Sequence, residues 1–205
     1  MKSKIKVFAS FCLVVGICLL VGCGAKSEPI GKLAGVEGKV DVKPASSEAF
    51  AAAAVQQQVF TGDSIRTSDD AKAEIQLTSD DSRIVLSSNT YLEVRNFSEK
   101  DLRQMNGIAI YKISPQNREL KIHTPQGMAT VLGTTLRIDV SDKETIVSVE
   151  EGKVGFSKKP GHQVVIESGK QYSSTAAEDT AINIDPLDLE KLFGSGNLAP
   201  IINPR

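Results

Sequence analysis

Reactive side chains are scarce in this sequence. Its 205 residues include two histidines, three cysteines and no tryptophan, and the formal net charge is only −1, with no long run of like charges. A protein that binds nucleic acid normally carries a basic patch or stripe, so this composition argues against a nucleic-acid partner. The small supply of thiols and imidazoles also leaves little material for a metal site or a nucleophilic catalytic centre.

The N-terminal segment has the pattern of an export signal. Lys2, Lys4 and Lys6 precede an almost uninterrupted apolar stretch from Val7 to Gly22. A positively charged segment followed by a short apolar one is typical of a secretory signal peptide, and the stretch is short for a transmembrane helix. We therefore expect this segment to direct export and then to be removed.

The signal ends in Leu20-Val21-Gly22-Cys23. This run resembles the lipobox of bacterial lipoproteins, in which a cysteine after small residues is acylated and becomes the first residue after cleavage. The resemblance implies a membrane contact made by lipid on Cys23, which is stable when two or more acyl chains are attached. An ordinary signal peptide or an uncleaved anchor is the alternative. Because the other two cysteines leave with the peptide, the lipidated chain would have no free thiol.

We divide the chain into four segments. Residues 1–22 are the signal peptide, 23–32 a lipidated tether, 33–175 a β domain and 176–205 a C-terminal extension. Removal of the peptide takes away three lysines and no acid, which brings the formal charge to about −4. Gly24 follows the cysteine, and by analogy with lipoprotein sorting this favours the outer membrane. We expect a place in the bacterial cell envelope, facing the periplasm or the surface.

Alternation of apolar and polar residues dominates the chain from Leu33 to Ser174. In residues 72–77, for example, polar and apolar side chains alternate strictly. Such period-two runs, separated by Gly, Asn, Asp and Ser, are typical of half-buried strands. They predict an all-β domain of about 10 to 12 short strands, arranged as a β-solenoid or a β-sandwich.

One segment breaks this rhythm and three others repeat a motif. Residues 49–58 have high helix propensity but little length, so we expect a loop or a marginal helical turn there. Val36–Val42 and Val149–Phe156 both have the pattern strand, glycine, strand, and Asn106–Ile110 is a weaker copy. The echo suggests hairpins or coils stacked on one another, with glycine supplying a positive φ or a close approach.

The C-terminal extension contains the signals of one short helix. Asp185 and Pro186 are the residue types of a helix N-cap and first position, and Gly194 can end the helix. We expect a disordered tail from Ser195 onward. The helix would carry an apolar stripe that either covers the open end of its own β domain or docks on a partner: Leu187, Leu189, Leu192 and Phe193.

Read in order, the punctuated strands resemble the FecR domain. The similar segments are Gly38–Val40, Gly62–Thr67, Ala73–Leu77, Ser82–Leu86, Thr124–Gly127, Val131–Ile138, Val149–Val154 and Gly169–Gln171. The ordered set, rather than any single segment, carries the resemblance. Its motif positions, to which we assign structural roles, are Gly38, Gly62, Asp63, Pro125, Gly127, Gly133, Thr134, Gly152 and Gly169.

Four of these positions have local physical roles that can be stated in advance. Asp63 can bond its own backbone in an Asx-type turn. Pro125 fixes φ in a turn that Gly127 allows to reverse. Gly133, inside an apolar strand, suggests a bulge or close packing. None of these roles is catalytic.

The resemblance implies a periplasmic β module without enzymatic activity or cofactor. FecR-type regulators place a cytoplasmic sigma-factor-binding segment and a transmembrane helix before this domain, and a further domain after it. Here the signal peptide comes first and about 30 residues follow the β domain, so we do not expect sigma-factor binding by this chain. Asp80-Asp81-Ser82 also departs from the Asp-Gly-Ser that the family usually has.

Two sharper interpretations of the polar residues are possible. Asp69-Asp70 and Asp80-Asp81, with Asp63, could form a calcium site, but the spacing matches no calcium-binding loop, and we favour solvated turn carboxylates. A hydrolase could be built from His123 and His162 with Ser87 or Ser88, although no nucleophile motif is present.

Our hypothesis is a lipid-anchored, non-catalytic module that binds an envelope protein or a polymer such as a glycan, or senses a signal there. The alternatives are an envelope polymer hydrolase and a β-jelly-roll lipid carrier. A carrier would need an apolar groove between its sheets.

Overall fold

The computed structural model describes residues 28–96 and 100–193. The signal peptide, the lipobox, Cys23 and the tail from Ser195 lie outside these residues. Seventeen strands and one helix occur in the described part. Their bounds are β1 Gly31–Glu37, β2 Val40–Lys43, β3 Ala51–Ala52, β4 Gln58–Val59, β5 Ser64–Thr67, β6 Lys72–Leu77, β7 Arg83–Leu86, β8 Tyr91–Asn96, β9 Asp101–Ile113, β10 Leu120–Thr124, β11 Gly127–Val131, β12 Thr134–Val140, β13 Thr145–Glu151, β14 Lys153–Lys159, β15 His162–Glu167, β16 Lys170–Ser173, β17 Ile182–Asn183 and α1 Pro186–Phe193.

These strands form two layers that share β9. Sheet A has the order β4-β1-β6-β7-β9-β12-β13-β16-β17. Sheet B has the order β3-β2-β5-β8-β9-β10-β11-β14-β15. The first half of β9 belongs to sheet B and the second half to sheet A, and only its pairing with β10 is parallel. The expectation of an all-β fold with a short C-terminal helix is confirmed, and β9 joins the two layers into one open, mixed sheet.

The chain crosses between the sheets at residues whose backbone has a positive φ. Gly38, Asp70, Asn89 and Gly107 have φ of 68°, 53°, 54° and 83°, and each lies where the chain leaves one sheet for the other. Neighbouring bends touch, because a Cβ on Gly107 would lie 2.4 Å from the carbonyl oxygen of Asn89. Glycine, Asn and Asp are the residues that tolerate this backbone region. The stacked bends explain the Gly-containing echo in the sequence.

A second row of bends lies at the opposite end of the strands. Thr134 pairs with Ile113, whereas Val140 pairs with Gly107, so the bend at Gly133 is a strand length away from the first row. Gly152 has a φ of 89°, and a Cβ there would lie 2.8 Å from the carbonyl oxygen of Gly133. In the second half of the domain, the chain therefore crosses between the sheets at the end of the strands opposite to that used in the first half.

One continuous apolar core fills the space between the sheets. It draws on alternate residues of strands in both layers, and its largest members are Tyr111, Tyr172, Phe156, Leu33, Ile65 and Ile75. Inside it, the hydroxyl of Tyr111 donates to Oε1 of the fully buried Gln104 at 2.9 Å, and Nε2 of Gln104 donates to the carbonyls of Gly107 and Ile138. Burial raises the pKa of Tyr111. These bonds hold β9 at the point where it passes from one sheet to the other.

Helix α1 lies on the outer face of sheet A. Phe193, 2% exposed, packs with Val85 of β7 and Ile110 of β9, and Nη1 of Arg137 donates to the carbonyl of Leu192. The helix therefore covers the middle of a sheet face. The prediction that it covers an open end of the domain was wrong. The reason is local: Val85 and Ile110 point away from the main core and need an apolar cover.

We predict that Phe193→Ala undocks α1 and leaves most of the domain intact. Removing a buried phenyl ring costs about 3 kcal/mol, but only the helix contacts depend on it. Hydrogen exchange in α1 and around Val85 should become faster, while core amides such as that of Ile75 keep their protection. Glu190→Ala, an exposed change in the same helix, is the control. Uniform loss of protection throughout the domain would contradict this local role.

Three local features differ from those expected. The first strand begins at Gly31, inside the proposed tether, because the side chain of Ile30 is 5% exposed and its amide donates to Val59. Residues 49–58 contain no helix, since β3 and the start of β4 give their backbone groups strand partners on β2 and β1. The helical-turn alternative for this segment was therefore wrong. The extension also adds β17 to sheet A.

Candidate binding face on sheet B

The outer face of sheet B is the open face of this domain. The helix covers sheet A, whereas no helix packs on sheet B within the described residues. Each strand of sheet B turns alternate side chains outward, and on β2, β5, β8 and β9 these are mostly charged or aromatic. We call this surface the B face.

An aromatic and arginine cluster occupies one side of the B face. The strand register places Asp41, Arg66 and Tyr91 in one row across β2, β5 and β8. Nη2 and Nε of Arg66 lie 2.9 and 3.0 Å from Oδ2 of Asp41. The guanidinium lies 4.0 Å from the ring centroid of Phe50, whose ring meets Tyr91 edge-on at 6.3 Å. Ion pairing and the aromatic contact hold Arg66 in one orientation although nearly half of its side chain is exposed.

A second charged group lies where β8, β9 and β10 meet. Oδ2 of Asp101 is 3.6 Å from Nη1 of Arg95, and its Oδ1 is 3.2 Å from Nε2 of His123. That Oδ1 is shielded from solvent and has no hydrogen bond of good geometry. Glu93 and Arg103 stand between this group and the Arg66 cluster, 4.0 Å apart. The B face thus alternates in charge along its length, a pattern suited to a polar partner surface.

The structure gives Asp63 a larger role than a local turn. The carboxylate is buried, and its two oxygens accept hydrogen bonds from the amides of Ala45 and Phe60 at 3.0 and 2.9 Å. It therefore joins two loops, whereas the sequence suggested a bond to its own following backbone. Gly62 beside it has a φ of 91°, and a Cβ there would lie 2.5 Å from Cβ of Ala45. Together they close the end of the β2–β5 hairpin below the B face.

The other motif positions also belong to the scaffold. Pro125 lies in the two-residue turn between β10 and β11. Gly127 does not have a positive φ; it is required because a Cβ would lie 2.6 Å from Cζ of Phe156. Gly133 packs against Pro115, and Oγ1 of the buried Thr134 donates to the carbonyl of Lys153. Gly169 has a φ of 75° at the bend between β15 and β16.

The polar residues weighed for catalysis or metal binding are not brought together. His123 contacts Asp101, and His162 lies 3.5 Å from Asp179, on other elements. Ser87 and Ser88 lie in the bend between β7 and β8. Among the described residues, no group of three or more His, Cys, Asp or Glu could hold a metal ion. No helix in residues 28–96 and 100–193 has the length and apolar character to span a membrane.

Sequence reasoning missed a polar cluster at the C-terminal side of the domain. The carboxylate of Asp179 accepts from the hydroxyl of Tyr172 and contacts Nζ of Lys158, both at 2.7 Å. The Lys158 ammonium, and then the Tyr172 hydroxyl, lower the pKa of Asp179, and Asp179 in turn raises the pKa of Lys158. The cluster ties the loop after β16 to β14. Polar and apolar residues alternate around Tyr172, which predicts a strand. Nothing in the sequence indicates that Asp179 folds back onto that strand.

We predict that Asp179→Asn reduces the acid sensitivity of the domain. A carboxyl whose pKa is lowered in the folded state stabilises that state above its ordinary pKa of about 4, and the stabilisation is lost as the pH falls through the folded value. Thermal unfolding from about pH 7 to pH 2.5 should therefore show a lower midpoint for the variant at neutral pH and convergence with the parent in acid. Asp142→Asn, an exposed hairpin change, is the control. Parallel curves would contradict the expected role of Asp179.

Comparison with known proteins supports the same interpretation. Residues 63–155 match the family model described as FecR protein. Two crystal structures of a protein from Parabacteroides distasonis, described as a candidate anti-sigma factor, superpose with a TM-score of 0.51 at 20% sequence identity. The match covers 60% of this chain and 60% of that protein, and at this identity it shows the fold alone. No curated protein matches the chain. The segment that matches the FecR model runs from β5 into β14 and includes most of the B face.

Proposed function

We propose that this protein is a lipid-anchored, non-catalytic sensing or binding module of the bacterial cell envelope, and that it binds an envelope protein through the B face. The proposal depends on one observation. The cluster of Phe50, Arg66 and Tyr91 lies on the outer face of sheet B, which no helix covers in the described residues, whereas α1 covers part of the outer face of sheet A. The lipobox before Cys23 supports the anchor, and the FecR match supports a signalling or sensing role.

The composition of the B face favours a protein over a glycan. Aromatic side chains and Arg are enriched at protein interfaces, and the face presents both kinds. Arg66 is already oriented by Asp41, so a partner would find it with little further loss of side-chain entropy. A glycan platform would instead need an aromatic ring lying flat and free, whereas the Phe50 ring is occupied by the guanidinium. If the capture experiment described below recovers a glycan polymer and no protein, the B face binds a glycan.

A signalling role fits the comparison with the Parabacteroides protein, but it does not require a sigma factor. The residues that resemble the FecR domain supply a β scaffold, and the expectation that this chain does not itself bind a sigma factor stays a prediction. We propose instead that the domain signals by binding or releasing its partner at the envelope. No cofactor is needed for this role.

Neither alternative function finds support in the geometry. A hydrolase would need His123 or His162 beside a nucleophile. Instead, His123 contacts the carboxylate of Asp101, and His162 contacts that of Asp179. A lipid carrier would need a groove between the sheets, and that space is filled by the core that Tyr111, Tyr172 and Phe156 occupy.

The test is capture of the partner from crosslinked membranes with variants of the full chain. Phe50→Ala and Arg66→Ala, each at a surface position, should lower the amount of co-purified partner at least about fivefold, as expected for interface aromatic and arginine residues. Lys112→Ala, exposed on β9 in sheet A, is the matched control and should have no effect. Equal capture by all variants, each with an unchanged melting temperature, would show that the B face is not the binding surface.

A further inference from the structure

Strand β15 is the longest of the four terminal strands of the two sheets as described. The other three edges end in β3, β4 and β17, each of two residues, whereas β15 has six. Very short edge strands are a common protection against pairing with another chain. Among the residue-by-residue strand pairings of the described part of the chain, β15 pairs with β14 alone, so the other edge of its backbone has no strand partner.

The side chains of β15 do not protect this edge. Val164 and Ile166 point into the core, while the outward Val165 is 57% exposed at the middle of the strand. Gln163 and Glu167 stand on the same outward side, two residues before and after Val165. An exposed valine at the centre of an uncovered edge is a feature that soluble monomers normally avoid.

We propose that β15 pairs in antiparallel fashion with β15 of a second copy of this chain, about a twofold axis through Val165. This register places Val165 opposite Val165 of the second copy and Gln163 opposite Glu167. The core-facing Val164 would then lie opposite Ile166, so apolar groups meet on the core side in both copies. Sheet B would continue through the dimer.

The pattern of the strand favours a second copy over an unrelated strand. A twofold register requires residues equally distant from the centre to be compatible, and here polar Gln163 meets acidic Glu167 while buried valine meets buried isoleucine. Glu167 also contacts Lys153 at 3.1 Å and Lys170 at 3.4 Å, so its carboxylate is held in place at the proposed junction. This proposal goes beyond the B face function and does not depend on it.

A disulfide trap in the full chain tests the proposal. Edge pairing of six residues buries little area, so the contact is expected to be weak and to need trapping. Val165→Cys brings two thiols within the range that antiparallel partners allow for a disulfide. Mild oxidation of expressing cells should give a covalent homodimer. Ile182→Cys, 60% exposed on the two-residue edge strand of sheet A, and the unmodified chain are the controls and should stay monomeric.

A charge change at position 163 tests the register. In the Val165→Cys background, Gln163→Lys should raise the dimer yield about twofold or more, because lysine then faces Glu167 of the second copy. Gln163→Glu should lower the yield by a similar factor. A monomer only, a crosslink to a different protein, equal dimer from Ile182→Cys, or the same yield from both position-163 variants would each overturn the proposal.

Discussion

Gly107→Ala is expected to destabilise the domain by about 4 kcal/mol. Gly107 has a φ of 83°, which costs an L-residue roughly 1 to 2 kcal/mol. The new Cβ would also lie 2.4 Å from the carbonyl oxygen of Asn89 and 2.5 Å from Cα of Thr90, both backbone atoms of the neighbouring bend. Overpacking of this kind adds roughly 1 to 3 kcal/mol. For a chain of this size the melting temperature should fall by about 10 °C.

Two matched glycines separate the causes of this loss. Gly161 has the same φ of 83° with no atom within 4 Å of its would-be Cβ, so Gly161→Ala measures the backbone cost alone. Gly127 lacks the positive φ but would place a Cβ 2.6 Å from the carbonyl oxygen of Ser157, so Gly127→Ala measures the clash. The three melting temperatures are compared on purified protein. A Gly107→Ala midpoint equal to that of Gly161→Ala would contradict the stacked-bend account.

Cys23→Ser is expected to move the protein from the membrane fraction to the soluble fraction. Multiple acyl chains anchor a protein stably, so under the proposed lipid anchoring the loss of the acceptor thiol removes the anchor. Fractionation with immunoblotting should show nearly complete membrane recovery for the parent chain. The mass of its N-terminal peptide should include the lipid.

Cys18→Ser is the control for this change. It alters a cysteine in the same N-terminal segment but not the lipobox acceptor, so membrane recovery should match that of the parent chain. If Cys23→Ser stays in the membrane fraction to the same extent as Cys18→Ser, lipid on Cys23 is not the anchor.

Much of the fold could be predicted because strand formation leaves a local trace. Alternation in Lys72–Leu77 marks β6, and Asp185 with Pro186 marks the start of α1. The Gly-containing echoes also indicate bends, since only a few residue types accept a positive φ. The number of strands was underestimated in part because β3, β4 and β17 have two residues each, too few for a periodic pattern.

The division into two layers and the B face could not be predicted in the same way. They depend on register between strands far apart in the sequence, such as β2 with β5 and β5 with β8. Phe50 lies in a segment whose alanines suggested helix propensity, so its contact with Arg66 has no local signal. Asp63 was singled out, but its bond to Ala45, 18 residues away, follows only from the hairpin that the chain forms.

Site-specific photo-crosslinking on the two faces in intact cells tests most directly whether the B face binds the partner. A photoreactive amino acid at position 91 lies on the B face, and one at position 112 lies on the outer face of sheet A. If the partner binds the B face, position 91 forms a discrete crosslink to one envelope protein and position 112 does not. A discrete crosslink from position 112, with none from position 91, would show that the partner does not bind the B face.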